Sequence, residues 1–336
     1  MMMEHLISVI VATYNQEDTI GRTLDSILCQ QCHVPFEIVI GEDCSTDATL
    51  SICKDYAQRY PDIVRVIANS HNKGLIDNYF DCILACRGEY IADCAGDDFW
   101  VDPLKLEKEV TIMEHHPDVT LVHTNWDSYH ESTGETSPSP QKPFEAPLTP
   151  GSEMLEAIIT QTDVPVIHLC TSLYRTNIVR EAMLKNNPLL RNKEYGCEDM
   201  QIAFLMAQHG TIAYLPDVTL CYSQGGETVS YSQEYHKQFR FTLRVSNLSW
   251  LLAQHNHIHS AATECYFQQR VFALGMYAFR AHDTQLFTET QKAEQQWQCH
   301  RPVRTELLYF IMRHPMLWTL ALRMRHVLVS AKQLLR

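Results

Sequence analysis

Three groups of acidic residues are the clearest sign of chemistry in this sequence. Asp43 follows one short apolar run, the adjacent pair Asp97 and Asp98 follows another, and Glu198 and Asp199 lie much later in the chain. Carboxylate oxygens are the ligands that hard divalent cations prefer. A carboxylate can also act as a general base, worth roughly 10²–10⁴-fold in rate. The acids could therefore hold a cation against an anionic substrate and accept a proton from a hydroxyl.

Alternating strand and helix signals predict that the first acids lie together. Buried strands are predicted at residues 6–12, 36–41, 64–68, 90–93 and 119–123. Helices are predicted at residues 16–30, 47–60 and 75–86, with Ser45 as an N-cap and Pro103 opening a further helix. Such repeats imply an α/β fold with a mostly parallel, doubly wound sheet, whose ligands bind beyond the carboxyl ends of the strands. Asp43, Asp97 and Asp98 are expected at that rim.

The rest of the chain has a different pattern. Residues 134–151 contain five prolines and predict a loop. Further elements are predicted as a helix at 152–160, a strand at 165–174, a helix around 200–209 and a strand at 211–222. From about residue 235 the pattern is helical to the end. We therefore predict an α/β domain over residues 1–225 and a helical C-terminal region over residues 226–336.

Four ordered motifs resemble those of glycosyltransferase family 2. They are residues 8–15 (SVIVATYN), 37–47 (EIVIGEDCSTD), 72–74 (NKG) and 85–100 (ACRGEYIADCAGDDFW). The resemblance is strong over residues 5–125 and weak over residues 150–222. It implies a GT-A, Rossmann-like fold and inverting transfer of a sugar from a nucleotide-diphosphate donor to a hydroxyl acceptor. By analogy with the family, the product would be a bacterial surface glycan built on a glycan or lipid-linked acceptor.

The resemblance also implies where the donor nucleotide binds. Thr13, Tyr14 and Glu17 would line the pocket for the base and ribose, and Asp43 would bind the nucleoside. In isolation, Asp43 would be interpreted as a turn residue.

The remaining acids would serve the diphosphate and the acceptor. By the resemblance, Asp97, with help from Asp98, would hold Mg²⁺ or Mn²⁺ on the diphosphate, and Asp199 would be the general base, with Glu198 as its rival. Each group also has a structural interpretation. An Asp pair after a strand is commonly a turn, and acids at a helix N-terminus interact favourably with the helix dipole.

Two departures from the family pattern put metal affinity and donor identity in question. The metal motif often begins with an acid where Ala95 stands, and Asp93 is two residues earlier, on the same face if the strand continues. An Arg that many members carry just before the equivalent of Asn78 is Asp77 here. Ala95 motivates the alternative of a catalytically impaired sugar-nucleotide-binding protein. A nucleotidyltransferase is disfavoured, because residues 13–17 contain no Gly or basic residue to cradle a triphosphate.

Charge separates the end of the chain from the rest. The chain has a formal charge of −13, which argues against nucleic-acid binding. Residues 301–336 carry seven basic residues and one acid. An apolar stripe also runs along this tail at Leu317, Leu320, Met324, Leu328, Ala331 and Leu335. The stripe either docks on the catalytic domain or lies on an anionic membrane.

Cysteine usage and hydropathy predict the compartment. The twelve cysteines are scattered, and no signal peptide or long apolar run is recognised, which predicts free thiols in a reducing cytoplasm, with a peripheral membrane contact as the second interpretation of the tail. Cys29 and Cys32 form a Cys-x-x-Cys pattern, but a zinc site of that type needs a second pair, and none follows at suitable spacing. Packing at a helix end is the favoured interpretation of this pair.

Overall fold

The computed structural model describes residues 4–139, 146–161, 167–225 and 234–334. Contacts divide the chain into two compact units, Met1–Gly226 and Glu227–Arg336. The described part of the first unit is α/β, and that of the second is helical. That the two units are separate domains stays a prediction.

The described strands of the first unit form one mixed sheet of ten strands. They are β1 (Glu4–Thr13), β2 (Phe36–Glu42), β3 (Val64–Ala68), β4 (Gly88–Asp93), β5 (Phe99–Trp100), β6 (Val119–His130), β7 (Glu135–Pro138), β8 (Leu148–Pro150), β9 (Ser172–Arg175) and β10 (Thr211–Gln224). Their order is β3-β2-β1-β4-β9-β6-β10-β5, with β7 on β6 and β8 on β10. The first four strands of this order are parallel neighbours, as are β6 and β10. The strands β5, β7, β8 and β9 pair antiparallel, so the sheet is less uniformly parallel than predicted.

Helices cover both faces of the sheet and build the second unit. Those of the first unit are α1 (Ile20–Leu28), α2 (Thr49–Arg59), α3 (Leu75–Ala85), α4 (Lys105–His115), α5 (Gly151–Thr160), α6 (Thr176–Leu184) and α7 (Asp199–His209). Those of the second unit are α8 (Tyr235–His255), α9 (Ala261–Ala281), α10 (Thr284–Trp297), α11 (Val303–Arg313) and α12 (Pro315–Leu334). None of these helices, within the described residues, is long and apolar enough to cross a membrane.

The continuous apolar sequence of β1 reflects burial on both of its faces. Val9 packs in the same cluster as Leu24 of α1, whereas the next residue, Ile10, packs in the cluster that contains Phe80 of α3. Because successive side chains of a strand point to opposite faces, a strand covered by helices on both sides reads as an unbroken apolar run. This is why the central strands could be predicted closely from the sequence.

Two local predictions were wrong. The helix α2 begins at Thr49 with Ala48 at its N-cap position, and Asp47 Oδ1 accepts a hydrogen bond from the Thr49 N–H (2.9 Å). Ser45, the predicted N-cap, instead accepts a hydrogen bond at Oγ from the Asn15 N–H (3.0 Å). The predicted loop at 134–151 contains β7 and β8, while its residues 140–145 lie outside the described ranges.

The predicted strand at 165–174 is also different in the structure. A 3-10 turn occupies Leu169–Thr171, and β9 follows at Ser172–Arg175. Residues 165 and 166 lie outside the described ranges. The apolar run therefore contains a turn before its strand, which hydrophobicity alone does not reveal.

Candidate active site

The predicted rim exists where the parallel strands β1, β2 and β4 end. The Asp43 N–H donates to the Thr13 carbonyl (3.0 Å), and the Gly96 N–H donates to the Ala12 carbonyl (3.2 Å). These bonds extend the strand pairing into the loops that carry Asp43 and Asp97. The structure thus brings these two predicted site segments and Thr13 together at the carboxyl edge of the sheet.

Gly96 allows the loop of Asp97 to approach the end of β1 closely. A Cβ atom at this position would lie 2.8 Å from Thr13 Oγ1 and would clash with Gln16 Oε1. The Thr13 hydroxyl donates to that same Gln16 oxygen (2.7 Å), and the Thr19 hydroxyl donates to the Gly96 carbonyl (2.8 Å). Any side chain at Gly96 would therefore displace Thr13 and Gln16 or push the acidic loop away from the end of β1.

The loop after β1 is tied to the start of α2. Glu17 accepts a hydrogen bond at Oε2 from the Ala48 N–H (2.7 Å), and its own N–H donates to Asp47 Oδ2 (3.1 Å). Thr13 is buried, whereas Tyr14 is 44% exposed and Glu17 is also exposed. Of the three residues predicted for the base and ribose pocket, Tyr14 is thus the one that exposes an aromatic ring.

Asp43 organises the turn at Asn72-Lys73-Gly74. Its Oδ1 accepts hydrogen bonds from the Lys73 N–H (2.8 Å) and from Asn69 Nδ2 (3.0 Å), and its Oδ2 accepts one from the Gly74 N–H (2.8 Å). The carboxylate is 3% exposed. The turn resembling the family motif is therefore held in place by Asp43, and a role of this residue in nucleoside binding stays a prediction.

Asp77, which stands where many family members carry Arg, is paired with bases from another segment. Arg191 Nε lies 3.2 Å from Asp77 Oδ1, and Lys193 Nζ lies 2.6 Å from Asp77 Oδ2. Arg191 also contacts Asp81 (2.6 Å). Burial raises the pKa of Asp77, but its hydrogen bonds and charge interactions with Lys193 and Arg191 outweigh burial. The pKa of Asp77 is therefore lowered. Positive charge is present beside Asp77, supplied by a different part of the chain.

The pair Asp97 and Asp98 is fixed by contacts that sequence reasoning missed. Arg22 Nη2 (3.0 Å) and the Ser223 hydroxyl (2.6 Å) both donate to the Asp97 carbonyl. The Ser223 N–H donates to Asp98 Oδ1 (2.9 Å), and the Thr23 hydroxyl donates to the Asp98 carbonyl (2.6 Å). Helix α1 and the end of β10 therefore clamp the acidic loop from two sides.

The two carboxyls of this loop lie in surroundings where burial and negative neighbours outweigh the positive charge of Arg22. Burial raises the pKa of Asp97, with Glu131 raising it further and Arg22 opposing the rise. Burial, and then the neighbouring Asp97, hold the pKa of Asp98 well above its usual range. Oxygen donors that repel each other in this way suit a hard divalent cation.

The donor set fits a cation that is shared with a diphosphate. Among the described residues, no third His, Cys or acidic ligand atom is grouped closely with those of Asp97 and Asp98. Mg²⁺ is commonly bound through one or two carboxylates together with substrate phosphates. Asp98 accepts a hydrogen bond at Oδ1 from the Ser223 N–H, so one of its two oxygens is already engaged.

Arg22 and Glu131 complete the outer side of the rim. Their side chains form an ion pair (2.5 Å). The Arg22 guanidinium lies 4.3 Å from the ring centroid of Phe99 and 5.0 Å from that of Tyr129. No signal in the sequence pointed to Arg22, because its partners lie far away along the chain.

Glu198 and Asp199 lie where α7 begins and titrate differently. Burial, and then the charge of Asp199, raise the pKa of Glu198 to about 8. Burial raises the pKa of Asp199 to about 6, opposed by a hydrogen bond from the Leu169 N–H. Both residues are partly exposed. The charge of Asp199 disfavours ionisation of Glu198, and the hydrogen bond from the Leu169 N–H favours Asp199 as the carboxyl that ionises first.

Asp93 is a buried acid that faces two tyrosines. Burial raises its pKa to about 8, against the effect of the Tyr79 and Tyr174 hydroxyls, and the charge of Asp199 adds to the rise. The two hydroxyls are themselves hydrogen-bonded (2.6 Å). The charge of Asp199 also raises the pKa of Asp98, so it acts on Asp93 and on one acid of the rim. This electrostatic effect of Asp199 links the group of Glu198 and Asp199 to the rim.

Residues 8–182 match the family model described as glycosyl transferase family 2. The chain belongs to this family. More than half of its length lies within the match, which includes every predicted nucleotide and metal residue. The match ends before Asp199, so this residue lies outside the part of the chain that defines the family 2 domain.

Relatives of this family 2 chain are found in several bacteria. An uncharacterized protein of Mycobacterium tuberculosis is 45% identical over 114 residues, 34% of this chain and 33% of that protein. Poly(ribitol-phosphate) beta-N-acetylglucosaminyltransferase TarS of Staphylococcus aureus is 28% identical over 275 residues, 79% of this chain and 44% of that protein. The chain spans about a third of the length of the mycobacterial relatives that it matches.

Solved structures agree with the fold. TarS residues 1–349 in complex with UDP-GlcNAc superpose with a TM-score of 0.51 at 18% identity, covering 86% of this chain and 91% of that one. Mannosyltransferase PcManGT of Pyrobaculum calidifontis, in complex with GDP-Man and Mn²⁺, gives a TM-score of 0.53 at 16% identity, covering 94% and 86%. The predicted GT-A fold with a helical C-terminal region is confirmed.

Proposed function

We propose that this family 2 chain is an inverting glycosyltransferase, which transfers a sugar from a nucleotide-diphosphate donor to a hydroxyl of a surface-glycan acceptor. The observation that carries the proposal is the convergence of Asp43, Asp97 and Asp98 on one rim, with the charge of Asp199 acting on Asp98. The bound nucleotide sugars in the titles of the TarS and PcManGT structures support the donor class. The name of TarS, which includes poly(ribitol-phosphate), supports a polymeric acceptor that carries hydroxyls.

The donor end of the site would be built by the loops after β1, β2 and β4. Tyr14 offers an open aromatic face to the base, while Thr13, Glu17 and Asp43 shape the pocket around it. Asp97, supported by Asp98, would hold Mg²⁺ or Mn²⁺. When bound, the cation would neutralise the charge of the diphosphate leaving group.

Asp199 is the better candidate for the base. The Leu169 N–H hydrogen-bonds its carboxylate and favours the ionised form, while burial raises its pKa and so its tendency to accept a proton. In the proposed reaction, Asp199 takes the acceptor proton while the acceptor oxygen bonds to the anomeric carbon. The bond from that carbon to the diphosphate oxygen breaks at the same time, so the anomeric centre inverts.

Asp97→Asn is expected to weaken binding of a nucleoside diphosphate at least tenfold and to remove its dependence on Mg²⁺ or Mn²⁺. The amide is a poorer ligand for a hard cation than the carboxylate. Calorimetric titrations with and without the cation measure both effects. Asp62→Asn, at an exposed carboxylate away from the rim, is the matched control and should bind like wild type. Unchanged cation-dependent binding by Asp97→Asn would refute this role.

The alternative, a binding protein with impaired catalysis, is favoured by Ala95. Its N–H contacts Cys170 Sγ (3.3 Å), and it brings no carboxylate to the metal motif. A thermal-shift screen of nucleoside diphosphates with each cation, followed by assays for transfer with the matching nucleotide sugars, separates the two functions. Ligand-induced stabilisation without transfer to any surface-glycan acceptor would favour the binding protein.

We also propose that the enzyme works in the cytoplasm at the inner face of a membrane, held there by α11 and α12. Their open apolar side chains include Leu307, Phe310, Leu317, Leu320 and Met324, each between 41% and 60% exposed. Within the described residues 303–325, four arginines accompany one acid. An exposed apolar surface with basic neighbours suits an anionic bilayer. The side chains of Leu328 and Ala331, and residue Leu335, lie outside the described parts of the chain.

Replacing Leu317, Leu320 and Met324 together with serine is expected to lower binding to anionic liposomes at least tenfold. These side chains are exposed, whereas deletion of α12 would also remove Trp318, which is 2% exposed in the core of the second unit. Sedimentation with liposomes measures the effect. Leu184→Ser, at a side chain that is 82% exposed in the first unit, is the control. Equal sedimentation of all three proteins would contradict the membrane contact.

A further inference from the structure

A second group of potential ligands lies at the loop before β2. Among the described residues, Cys32, His33 and Glu107 are the one set of three whose ligand atoms all lie within 4.8 Å of one another. Cys32 and Glu107 are half-buried and His33 is exposed, so the group is open to ions in solution. The loop precedes β2, whereas the rim follows it, so the two places lie at opposite ends of this strand.

The contacts within this group already resemble a coordination shell. Glu107 Oε2 accepts a hydrogen bond from the His33 N–H (2.9 Å) and lies 2.8 Å from His33 Nδ1. The other ring nitrogen, Nε2, lies 3.2 Å from Glu114 Oε2. A histidine that ligates a metal characteristically donates its second ring N–H to a carboxylate, which fixes its tautomer and orientation. Glu114 is placed for that function.

The loop and α4 are held together by contacts that do not involve the ligands. The Gln31 N–H donates to the Pro103 carbonyl (2.8 Å), and Gln30 Nε2 donates to the Asp102 carbonyl (2.8 Å). The Leu106 N–H donates to Gln30 Oε1 (3.1 Å). Because these bonds fix the spacing of the two segments, little ordering is needed to bring the three ligands onto one ion.

We propose that Cys32, His33 and Glu107 form a second metal site, which takes a divalent transition ion such as Zn²⁺. A thiolate, an imidazole and a carboxylate are all ligands that Zn²⁺ accepts, and three protein ligands leave its fourth tetrahedral position to water. Mg²⁺ prefers an all-oxygen octahedral shell and is a poor match for this set. The ion would replace the thiol proton of Cys32 and the proton shared by His33 and Glu107, and both protons leave to solvent.

The site would join the loop before β2 to the first turn of α4. Helix α4 follows directly after Asp97, Asp98 and β5, so the ion would brace the segment on which the acidic loop is built. Its expected effect is therefore on the stability of the first unit, with no part in the chemistry at the rim. A surface network of histidine and glutamate pairs, without any ion, is the competing explanation, since His5 also contacts Glu114 (3.3 Å).

The test uses Co²⁺ as a spectroscopic probe for Zn²⁺ on the full chain. Wild type is expected to bind one Co²⁺ with a thiolate-to-metal charge-transfer band, which one equivalent of Zn²⁺ abolishes. Cys32→Ser should lose the band. Cys29→Ser, at the exposed cysteine three residues earlier, is the matched control and should keep it. Asp97→Asn should also keep it, which separates this site from the proposed cation at the rim.

A second variant measures the supporting carboxylate. Glu114→Gln should weaken Zn²⁺ binding about 10–100-fold in competition with a chromophoric chelator, while the charge-transfer band at saturation remains. A wild-type protein without the band, or a Cys32→Ser variant that retains it, would overturn the proposal and leave a network of surface ion pairs. Loss of the band in Cys29→Ser with retention in Cys32→Ser would overturn it as well.

Discussion

Asp199→Asn is expected to lower the turnover number of sugar transfer by roughly 10²–10⁴-fold and to leave the dissociation constant of the donor unchanged. Asparagine keeps the shape of the side chain but cannot accept the acceptor proton. The proposed donor contacts come from Tyr14, Asp43 and Asp97, on loops that Asp199 does not belong to. A residue that acts only as the bond forms should affect turnover and spare ground-state binding.

Glu198→Gln is the matched control for this experiment. Burial and the charge of Asp199 raise the pKa of Glu198, and the neutral glutamine resembles the protonated form that both effects favour. This variant should keep most of the wild-type turnover. Donor affinity from calorimetry and transfer from product formation are measured for both variants. Near-wild-type turnover in Asp199→Asn, with loss in Glu198→Gln, would assign the base to Glu198.

The parts of the fold that the sequence predicted are those with strong local signals. The bounds of β3 were predicted exactly as residues 64–68, and those of β2 to within one residue. Strand β5 has two residues and β9 has four, and both owe their position to pairing with distant strands. A short strand leaves little periodicity to detect, so β5 was not predicted and β9 was predicted only as the end of a longer strand.

The residues of the candidate site also divide into those that a local sequence signal predicts and those that depend on distant contacts. Asp43, Asp97 and Asp98 could be predicted as rim residues because each follows a strand whose direction the sequence implies. Arg22 and Ser223 could not, because their contacts with Asp97 join segments 75 and 126 residues apart. Their positions depend on how α1 and β10 pack, which is a property of the whole sheet.

Charged residues can also mislead when a local pattern is read alone. Lys105 and Glu109 are spaced like a solvent-exposed pair on a helix. In the structure both are fully buried, with Lys105 Nζ 2.7 Å from Glu109 Oε2 and 4.7 Å from the ring centroid of Trp100. Nothing in the sequence of α4 distinguishes this buried face from the outer one, because the covering residues come from other segments.

The second large effect is expected at Asp93, where Asp93→Asn should stabilise the cation-free protein at pH 8 but much less at pH 5. Burial raises the pKa of Asp93 to about 8 in the folded chain, whereas an unfolded aspartate titrates near 4. Between these values the unfolded chain releases the proton while the folded chain keeps it. The contribution of this group to stability is therefore full below about pH 4 and is lost as the pH rises to about 8.

The size of the change in stability follows from the pH interval over which Asp93 stays protonated in the folded chain only. One pH unit corresponds to 1.36 kcal/mol, so the advantage of asparagine should grow by about 4 kcal/mol between pH 5 and pH 8. Urea unfolding of both proteins at the two pH values measures it.

The buried His123 and His168, with pKa values lowered by burial to about 3 and about 4, act in the opposite direction but equally in both proteins, so they cancel in the difference. Asp62→Asn, at an exposed carboxylate, should show no pH-dependent difference from wild type. If the difference between Asp93→Asn and wild type is the same at pH 5 and pH 8, the Asp93 carboxyl is not the buried, protonated group that its position between Tyr79 and Tyr174 indicates.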